Sequence, residues 1–318
     1  RAIMRDVYRR APGLMSRALA PPLGAVCREA YAMVERRRRR HDVDERLEYL
    51  QYLYDVQGYL VIENVLSPQQ VDELNALIDA QELGEPKKEN GYRFGAAGGS
   101  HGTGPGFLQW GQPFVDLMDH PQIMEVMRMQ LGDCFRLDRI FCMRMHKGQQ
   151  KGRLHSDYGV SEPFTKARHG EYAHAPAHMA VHGFGVATFN LTDSGPGLGG
   201  TRLIPGSHNS HYKLPQLIRN DEVDDIAVCP VAPAGSLTFF SEATTHGTAG
   251  WHADYERRTL LYKYCASQLV WSRARVTPPE GLTLSKRQQR LLEEPGGAGW
   301  FFDSLFEDEE SEAQAAAD

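Results

Sequence analysis

The chain has 318 residues, 41% hydrophobic and 24% charged, enough to bury a substantial core in one domain of roughly 220–250 residues with appended termini. Its net charge of −6 argues against a broad basic surface for nucleic acid, and no run reaches the ~18 uninterrupted apolar residues that a membrane-spanning helix needs. The five cysteines, Cys27, Cys134, Cys142, Cys229 and Cys265, are odd in number and contain no C-x-x-C pair. That pattern argues against a disulfide framework or a thiolate zinc site and predicts a reducing, intracellular compartment, cytoplasmic by default.

Arginine dominates the first 30 residues (Arg1, Arg5, Arg9, Arg10, Arg17 and Arg28 against Asp6 and Glu29), which loosely resembles an organelle transit peptide. The chain opens on arginine rather than methionine, so its true start is expected upstream. The block "RRRRR" at 36–40 reads as a solvated terminus, as does the acidic tail from "EDEESE" at 307–312. Leu47, Leu50 and Tyr54 have helical spacing within 41–57, and "GYLVIENVL" after them reads as a strand. Ser67, Pro68 and Gln70 then supply an N-cap, a first-turn proline and a capping-box partner, with Val71, Leu74, Leu77 and Ile78 as the apolar stripe. The glycine-rich stretch 91–106 lacks the Gly-Lys-Ser/Thr of a phosphate cradle and is expected to be a flexible loop. From about 134 to 270, short strand-like runs divided by glycine and proline predict a β-sandwich or barrel rather than alternating βα units. "SKRQQRLLEE" predicts a short final helix. The expected division is a basic N-terminal extension over 1–45, a catalytic domain over 46–275 and a C-terminal helix with acidic tail over 276–318.

Chemistry concentrates in "GRLHSDYGV". On an extended strand His155 and Asp157 share one face and Ser156 points away, so the pair can chelate. An H-x-D alone is common by chance. His246, in "SEATTHGT" after an apolar strand, offers a third ligand, and Arg257 follows at the start of "RRTLLYKYC". Two histidines and a carboxylate leave three positions of an octahedral ion open, the facial triad of mononuclear non-haem iron(II) oxygenases. An arginine nearby can grip a distal carboxylate in bidentate fashion. The set fits an oxygenase whose co-substrate is a dicarboxylic keto acid.

"LHSD" at 154–157, "LTDSGPGLGGTRLIPGSH" at 191–208, "HGT" at 246–248 and "RRTLLYKYC" at 257–265 together resemble the signatures of the phytanoyl-CoA dioxygenase family over roughly residues 50–270. The resemblance implies a mainly β fold with flanking helices, a double-stranded β-helix of the jelly-roll, cupin-like kind. It implies iron(II) held by His155, Asp157 and His246, with 2-oxoglutarate and O2 as co-substrates. It also implies that Arg257 salt-bridges the distal carboxylate of 2-oxoglutarate with help from Thr248. Arg258 is the alternative to Arg257, because a one-residue slip exchanges the two faces of a strand. The implied reaction hydroxylates an unactivated C–H of a small molecule with release of succinate and CO2. The carboxylate at Asp157 disfavours halogenation, for which related enzymes carry a small residue there. The "IPGSH" turn, Ile204 to His208, is taken as structural.

Among the other candidates, His169, His174, His178 and His182 crowd a segment that Pro176 prevents from being one helix; they read as a lid or connecting loop rather than a second metal site. Arg144 faces the keto acid or the substrate, or is a surface strand residue. Trp110, Trp251 and Trp271 read as core or rim, and Thr188 and Asn190 as pocket liners. Two other functions stay open: a non-oxidative cupin-like hydrolase or isomerase with zinc or manganese in the same triad, and a non-catalytic binding protein that docks through its five-arginine block. The partner expected is a small-molecule substrate, with no nucleic acid and no membrane span.

Overall fold

The structure, a computed structural model, describes residues 42–156, 172–174, 180–210, 214–220, 222, 225–270, 272–296 and 302–307. The chain divides into two units, residues 1–48 and 49–318, and everything that follows concerns the second. Helix α1 (Asp42–Gln57) crosses the boundary and buries Leu50 and Tyr54. Gly58 ends it in the left-handed region and leads into strand β1 (Tyr59–Ile62). Helix α2 (Pro68–Asp79) begins as its sequence requires: the Ser67 hydroxyl accepts from the Gln70 N–H, and the Gln70 side chain accepts from the Ser67 N–H at 2.9 Å. Its stripe of Val71, Leu74 and Ile78 is buried.

Strand β2 (Arg93–Gly98) lies inside the glycine-rich stretch, which corrects the expectation of a flexible loop there. Arg93 and Phe94 pair with Met143 and Cys142, and the register then slips before Ala97 meets Ile140. The glycines are what this bulged edge strand needs. Gly98 has a φ of +77°, and a Cβ on it would lie 2.1 Å from the carbonyl oxygen of Asp138. Strand propensity is overridden because a long partner supplies the ladder.

Two helices follow, α3 (Gln112–Asp116) and α4 (Pro121–Leu131), and then the long strand β3 (Phe135–Met145). Strands β4 (Tyr172–His174) and β5 (Ala180–His182) pair antiparallel with each other, Tyr172 opposite His182. Strands β6 (Phe184–Asn190) and β7 (Thr201–Leu203), helix α5 (Gln216–Arg219), strands β8 (Leu237–Ser241), β9 (His246–Thr248) and β10 (Arg257–Ala266), and helix α6 (Lys286–Leu291) complete the described elements. One antiparallel sheet runs in the order β1-β8-β6-β10-β3-β2, while β7 and β9 form a short second one.

Strand alternation gives the large sheet two different faces. On β10, Leu260, Tyr262 and Tyr264 join the core built with α2, α3 and α4, together with Phe189 and Phe239 from neighbouring strands. The buried phenols need acceptors there: Tyr262 donates to the carbonyl of Phe114 and Tyr264 to that of Met118, each at 2.7 Å. Burial raises both phenols well above their ordinary range. The opposite face, with Phe141, Met143, Met145, Val186, Phe240 and Leu261, packs against Leu203 of the short sheet and against Trp251. Two β layers around that second core make a mainly β jelly roll flanked by helices. Among the described residues no helix is long and apolar enough to cross a membrane.

The capping box makes a measurable contribution. Ser67→Ala is expected to cost about 1 kcal/mol, read as a lower urea midpoint at unchanged slope. A changed slope, or no loss at all, would show that the cap does not anchor α2.

Candidate active site

The segment 152–155 runs antiparallel to β9. Gly152 N–H donates to Thr248 at 2.8 Å, His155 N–H to the His246 carbonyl at 2.9 Å, and His246 N–H back to the His155 carbonyl at 2.7 Å. This doubly bonded pair sets the two imidazoles side by side, with ring centroids 4.5 Å apart and planes inclined by 49°. Gly247 makes the approach possible, since a Cβ there would come within 2.9 Å of the Arg153 carbonyl oxygen. From the other side, the Arg202 guanidinium donates to the Gly152 carbonyl at 2.7 Å and so braces the segment carrying His155.

Both rings are oriented through Nδ1. His155 Nδ1 lies 2.9 Å from the Arg153 carbonyl oxygen, and His246 Nδ1 lies 2.8 Å from that of Thr244. A carbonyl only accepts, so each Nδ1 carries a proton, and in the neutral ring the lone pair is then on Nε2. That is the tautomer a metal-binding histidine adopts when a backbone group holds its other nitrogen. Asp157 lies outside the described residues. Among the described residues no group of three His, Cys, Asp or Glu side chains could hold a metal ion, so the pair is what the structure itself supplies. Glu242, two residues before Thr244, places Oε2 3.8 Å from His246 Nε2, and its other oxygen is ion-paired with Lys263.

Arg257 opens β10 on the face that carries the second core. It is 2% exposed, and its guanidinium meets soft or neutral acceptors: Met143 Sδ at 3.2 Å, Met145 Sδ at 3.5 Å and Thr201 Oγ1 at 3.2 Å. Its Nε is buried with no hydrogen-bond partner, and among the described residues no carboxylate pairs with it. Burial pulls its pKa down to about 10. A guanidinium desolvated this far without a counter-charge is costly unless an anion joins it. Thr248 Oγ1 donates to the same Met143 sulfur at 3.5 Å, which ties Arg257 to the strand that bears His246.

Arg258 faces the other way, as alternation demands. It lies opposite Arg144 while Arg257 lies opposite Met145, and it pairs with Glu256 at 2.6 Å, with Asp79 of α2 and with the Asn75 carbonyl at 3.1 Å. Arg144 shares that face, bound to Glu256 at 2.6 Å and stacked 4.9 Å over Phe94. Neither is brought to the histidine pair. Trp251 is a core residue and Trp110 is partly buried, while Trp271 lies outside the described residues. Thr188 and Asn190 are buried on the face with Arg257; Asn190 donates to the hydroxyls of Ser236 and Thr238 at 3.2 and 3.1 Å. His208 is buried against Tyr54 and Gly58, a packing role. His174 and His182 fall on β4 and β5, and His169 and His178 lie outside the described residues. Sequence reasoning passed over Glu242 and Lys263. The period-two alternation that separates Arg257 from Arg258 also puts Lys263 on the face with Arg257, and that signal was available.

Family membership follows from a match of the phytanoyl-CoA dioxygenase (PhyH) model to residues 54–259, a span that holds His155, Thr248, His246 and Arg257. The chain belongs to the phytanoyl-CoA dioxygenase family. Among solved structures it is similar to HygX from Streptomyces hygroscopicus with nickel and 2-oxoglutarate bound, at 17% identity over 70% of this chain and 88% of that one, with a TM-score of 0.57. It is similar also to SnoK, a non-heme alpha ketoglutarate dependent carbocyclase from nogalamycin biosynthesis, at 18% identity over 79% and 92% of the two chains, TM-score 0.50. The epimerase SnoN of the same biosynthesis matches at 18% identity over 81% and 90%, TM-score 0.50. At these identities the likeness establishes the family's jelly-roll fold. No curated protein sequence matches the chain.

The environment of Arg257 predicts a trade of stability for binding. Arg257→Met, which removes the charge and nearly fills its volume, is expected to leave the ligand-free protein as stable as wild type or up to about 2 kcal/mol more stable, by urea denaturation. A clear loss of stability would mean that the guanidinium holds the fold together.

Proposed function

We propose that the chain is an iron(II)- and 2-oxoglutarate-dependent oxygenase that hydroxylates an unactivated C–H of a small-molecule substrate. One juxtaposition carries the reading: two histidines paired across the backbone ladder and oriented through Nδ1, on the strand tied through Thr248 and Met143 to a buried arginine that pairs with no carboxylate among the described residues. His155 and His246 would hold the metal with Asp157, whose carboxylate the sequence places two residues after His155. The bound iron supplies the dioxygen-activating chemistry. HygX, solved with 2-oxoglutarate, and the alpha ketoglutarate dependent SnoK share this fold, which supports the choice of co-substrate.

The roles of the protein's own groups follow from their surroundings. Arg257 receives the distal carboxylate of 2-oxoglutarate in a bidentate grip, with the Thr201 and Thr248 hydroxyls beside it. The apolar lining of Phe240, Met143 and Leu261 keeps water from the reacting centre. The carbonyls of Arg153 and Thr244 hold both imidazoles in one tautomer through turnover. The overall reaction balances as substrate, O2 and 2-oxoglutarate giving hydroxylated product, succinate and CO2. Asp157 leaves no ligand position for chloride, which favours hydroxylation over halogenation; the carbocyclase SnoK and the epimerase SnoN show that the fold accommodates other outcomes. Residues 46–275 form the catalytic domain in this reading.

Anaerobic addition of iron(II) and 2-oxoglutarate is expected to give the weak visible charge-transfer band of the chelate, lost in His246→Ala. Arg257→Ala should weaken 2-oxoglutarate binding by roughly 10- to 100-fold, whereas Arg258→Ala should leave it within about twofold and lower stability instead. A wild type without the band, or a band that persists in His246→Ala, would sink the proposal. Product analysis against a substrate panel, with succinate release as the readout, tests hydroxylation itself.

A further inference from the structure

Arg257 is held weakly at its head and stands at the end of its ladder. The guanidinium meets two sulfurs and one hydroxyl, acceptors too soft to fix a cation, so its placement is inherited from the backbone. That backbone is the first residue of β10, paired with Met145, the last residue of β3. The ladder with β6 starts at Thr259 opposite Asn190; nearer the end, Arg258 reaches that side through the Thr192 hydroxyl and the Leu191 N–H, each at 3.0 Å. A terminal rung is where a ladder frays, yet a group that receives a ligand must keep its place to within about 0.5 Å.

The opposite face of the sheet supplies a clamp. Glu256 and Arg258 flank Arg257 on one strand, Arg144 and His146 flank Met145 on the other, and their side chains meet on the face away from Arg257. One carboxylate gathers them. The Arg144 guanidinium donates to Glu256 Oε1 at 2.6 Å, His146 Nε2 lies 3.0 Å from the same oxygen, and Arg258 Nε donates to Oε2 at 2.6 Å. With its side chain only 13% exposed, Glu256 is sheltered from the screening that makes ion pairs at the surface weak.

Each partner is itself moored outside the sheet. Arg258 reaches Asp79 and the Asn75 carbonyl of α2, the latter at 3.1 Å. Arg144 donates to the Gly84 carbonyl at 3.1 Å, and His146 Nδ1 lies 3.0 Å from Glu85. The stitching therefore runs from both sides of the terminal rung, through one carboxylate, into α2 and the segment that follows it. Loss of one partner leaves Glu256 two others. Loss of the carboxylate releases all three together and leaves two guanidiniums crowded as like charges.

We propose that Glu256 is a positioning residue for the co-substrate, acting through Arg257. The inference rests on the reading of Arg257 as the group that grips the distal carboxylate of 2-oxoglutarate. Glu256 faces the other way and touches neither Arg257's acceptors nor the histidine pair; by closing the terminal rung it keeps the guanidinium where the carboxylate arrives. Preference for a keto acid with a distal carboxylate over one without it then depends on a residue outside the pocket.

The test uses the full chain loaded with nickel(II). By calorimetry it compares 2-oxoglutarate with 2-oxobutyrate, which has the same keto acid end and no distal carboxylate. The readout is the ratio of the two affinities, because a general loosening of the fold weakens both ligands alike and leaves the ratio where it was. Glu256→Gln is expected to lower the ratio at least about fivefold while 2-oxobutyrate binding stays within about twofold of wild type. Arg258→Ala, which leaves the carboxylate two partners, should change the ratio by no more than about twofold. If Glu256→Gln does not fold, Arg144→Met combined with Arg258→Ala takes two of the three partners away and carries the same expectation. An unchanged ratio in Glu256→Gln, whether both affinities hold or both fall, overturns the proposal. So does a loss in Arg258→Ala as large as that in Glu256→Gln, since the carboxylate would then not be the hub. A ratio abolished by Arg257→Ala but untouched by Glu256→Gln sinks this inference alone. A wild type that shows no preference for 2-oxoglutarate, or one that survives Arg257→Ala, sinks the reading of Arg257 along with it.

Discussion

The reciprocal backbone pairing of His155 with His246 is the constraint on which the site depends. These residues are far apart in the chain, and two N–H to carbonyl hydrogen bonds of 2.9 and 2.7 Å fix their separation. Side-chain flexibility contributes little, because each ring is also held at Nδ1 by a carbonyl of the same strand segment. The neighbouring features serve this contact. Gly247 carries no side chain where the segments touch, Arg202 braces Gly152, and β7 holds β9 from its other edge, with Leu203 opposite His246. A histidine pair assembled this way is as rigid as the ladder that carries it.

The large sheet separates two kinds of chemistry by strand alternation alone. One face meets helices with apolar and phenolic side chains, and the ion pairs on that side, such as Arg258 with Asp79 and Glu256, tie strand to helix. The other face buries Arg257, Arg139 and Lys263 among apolar side chains and the polar Thr188, Asn190 and Thr259, with Lys263 ion-paired to Glu242. Stability does not explain the second arrangement, since buried charge is replaceable by hydrophobic residues at little cost or at a gain. Arg257, which pairs with no carboxylate among the described residues, is the charge there that the proposed reading gives to an anion.

What could be read from the sequence follows the range of the interactions involved. The capping box at Ser67 and Gln70 is complete within four residues and was legible in full. The assignment of Arg257 and Arg258 to opposite faces was legible only as an either-or, because the choice depends on the register of β10 against β3. The strand inside the glycine-rich stretch was not legible: its residues are poor strand formers, and the pairing with Met143 and Cys142 that imposes the conformation comes from a distant segment. Glu242 escaped for the same reason, since nothing near it in the chain signals Lys263. The histidine pair could be named from motif spacing, but that its two members share a backbone bridge is a fact of the fold.

The two methionines beside Arg257 give its surroundings a property that carboxylate acceptors would not. Thioether sulfur is a weak, polarisable acceptor, so Met143 and Met145 at 3.2 and 3.5 Å steady the guanidinium without satisfying it. A carboxylate in their place would neutralise the charge and have to be displaced by any incoming anion. In the proposed reading the sulfurs act as placeholders, easily outcompeted, and leave the arginine shaped for a guest while committed to none.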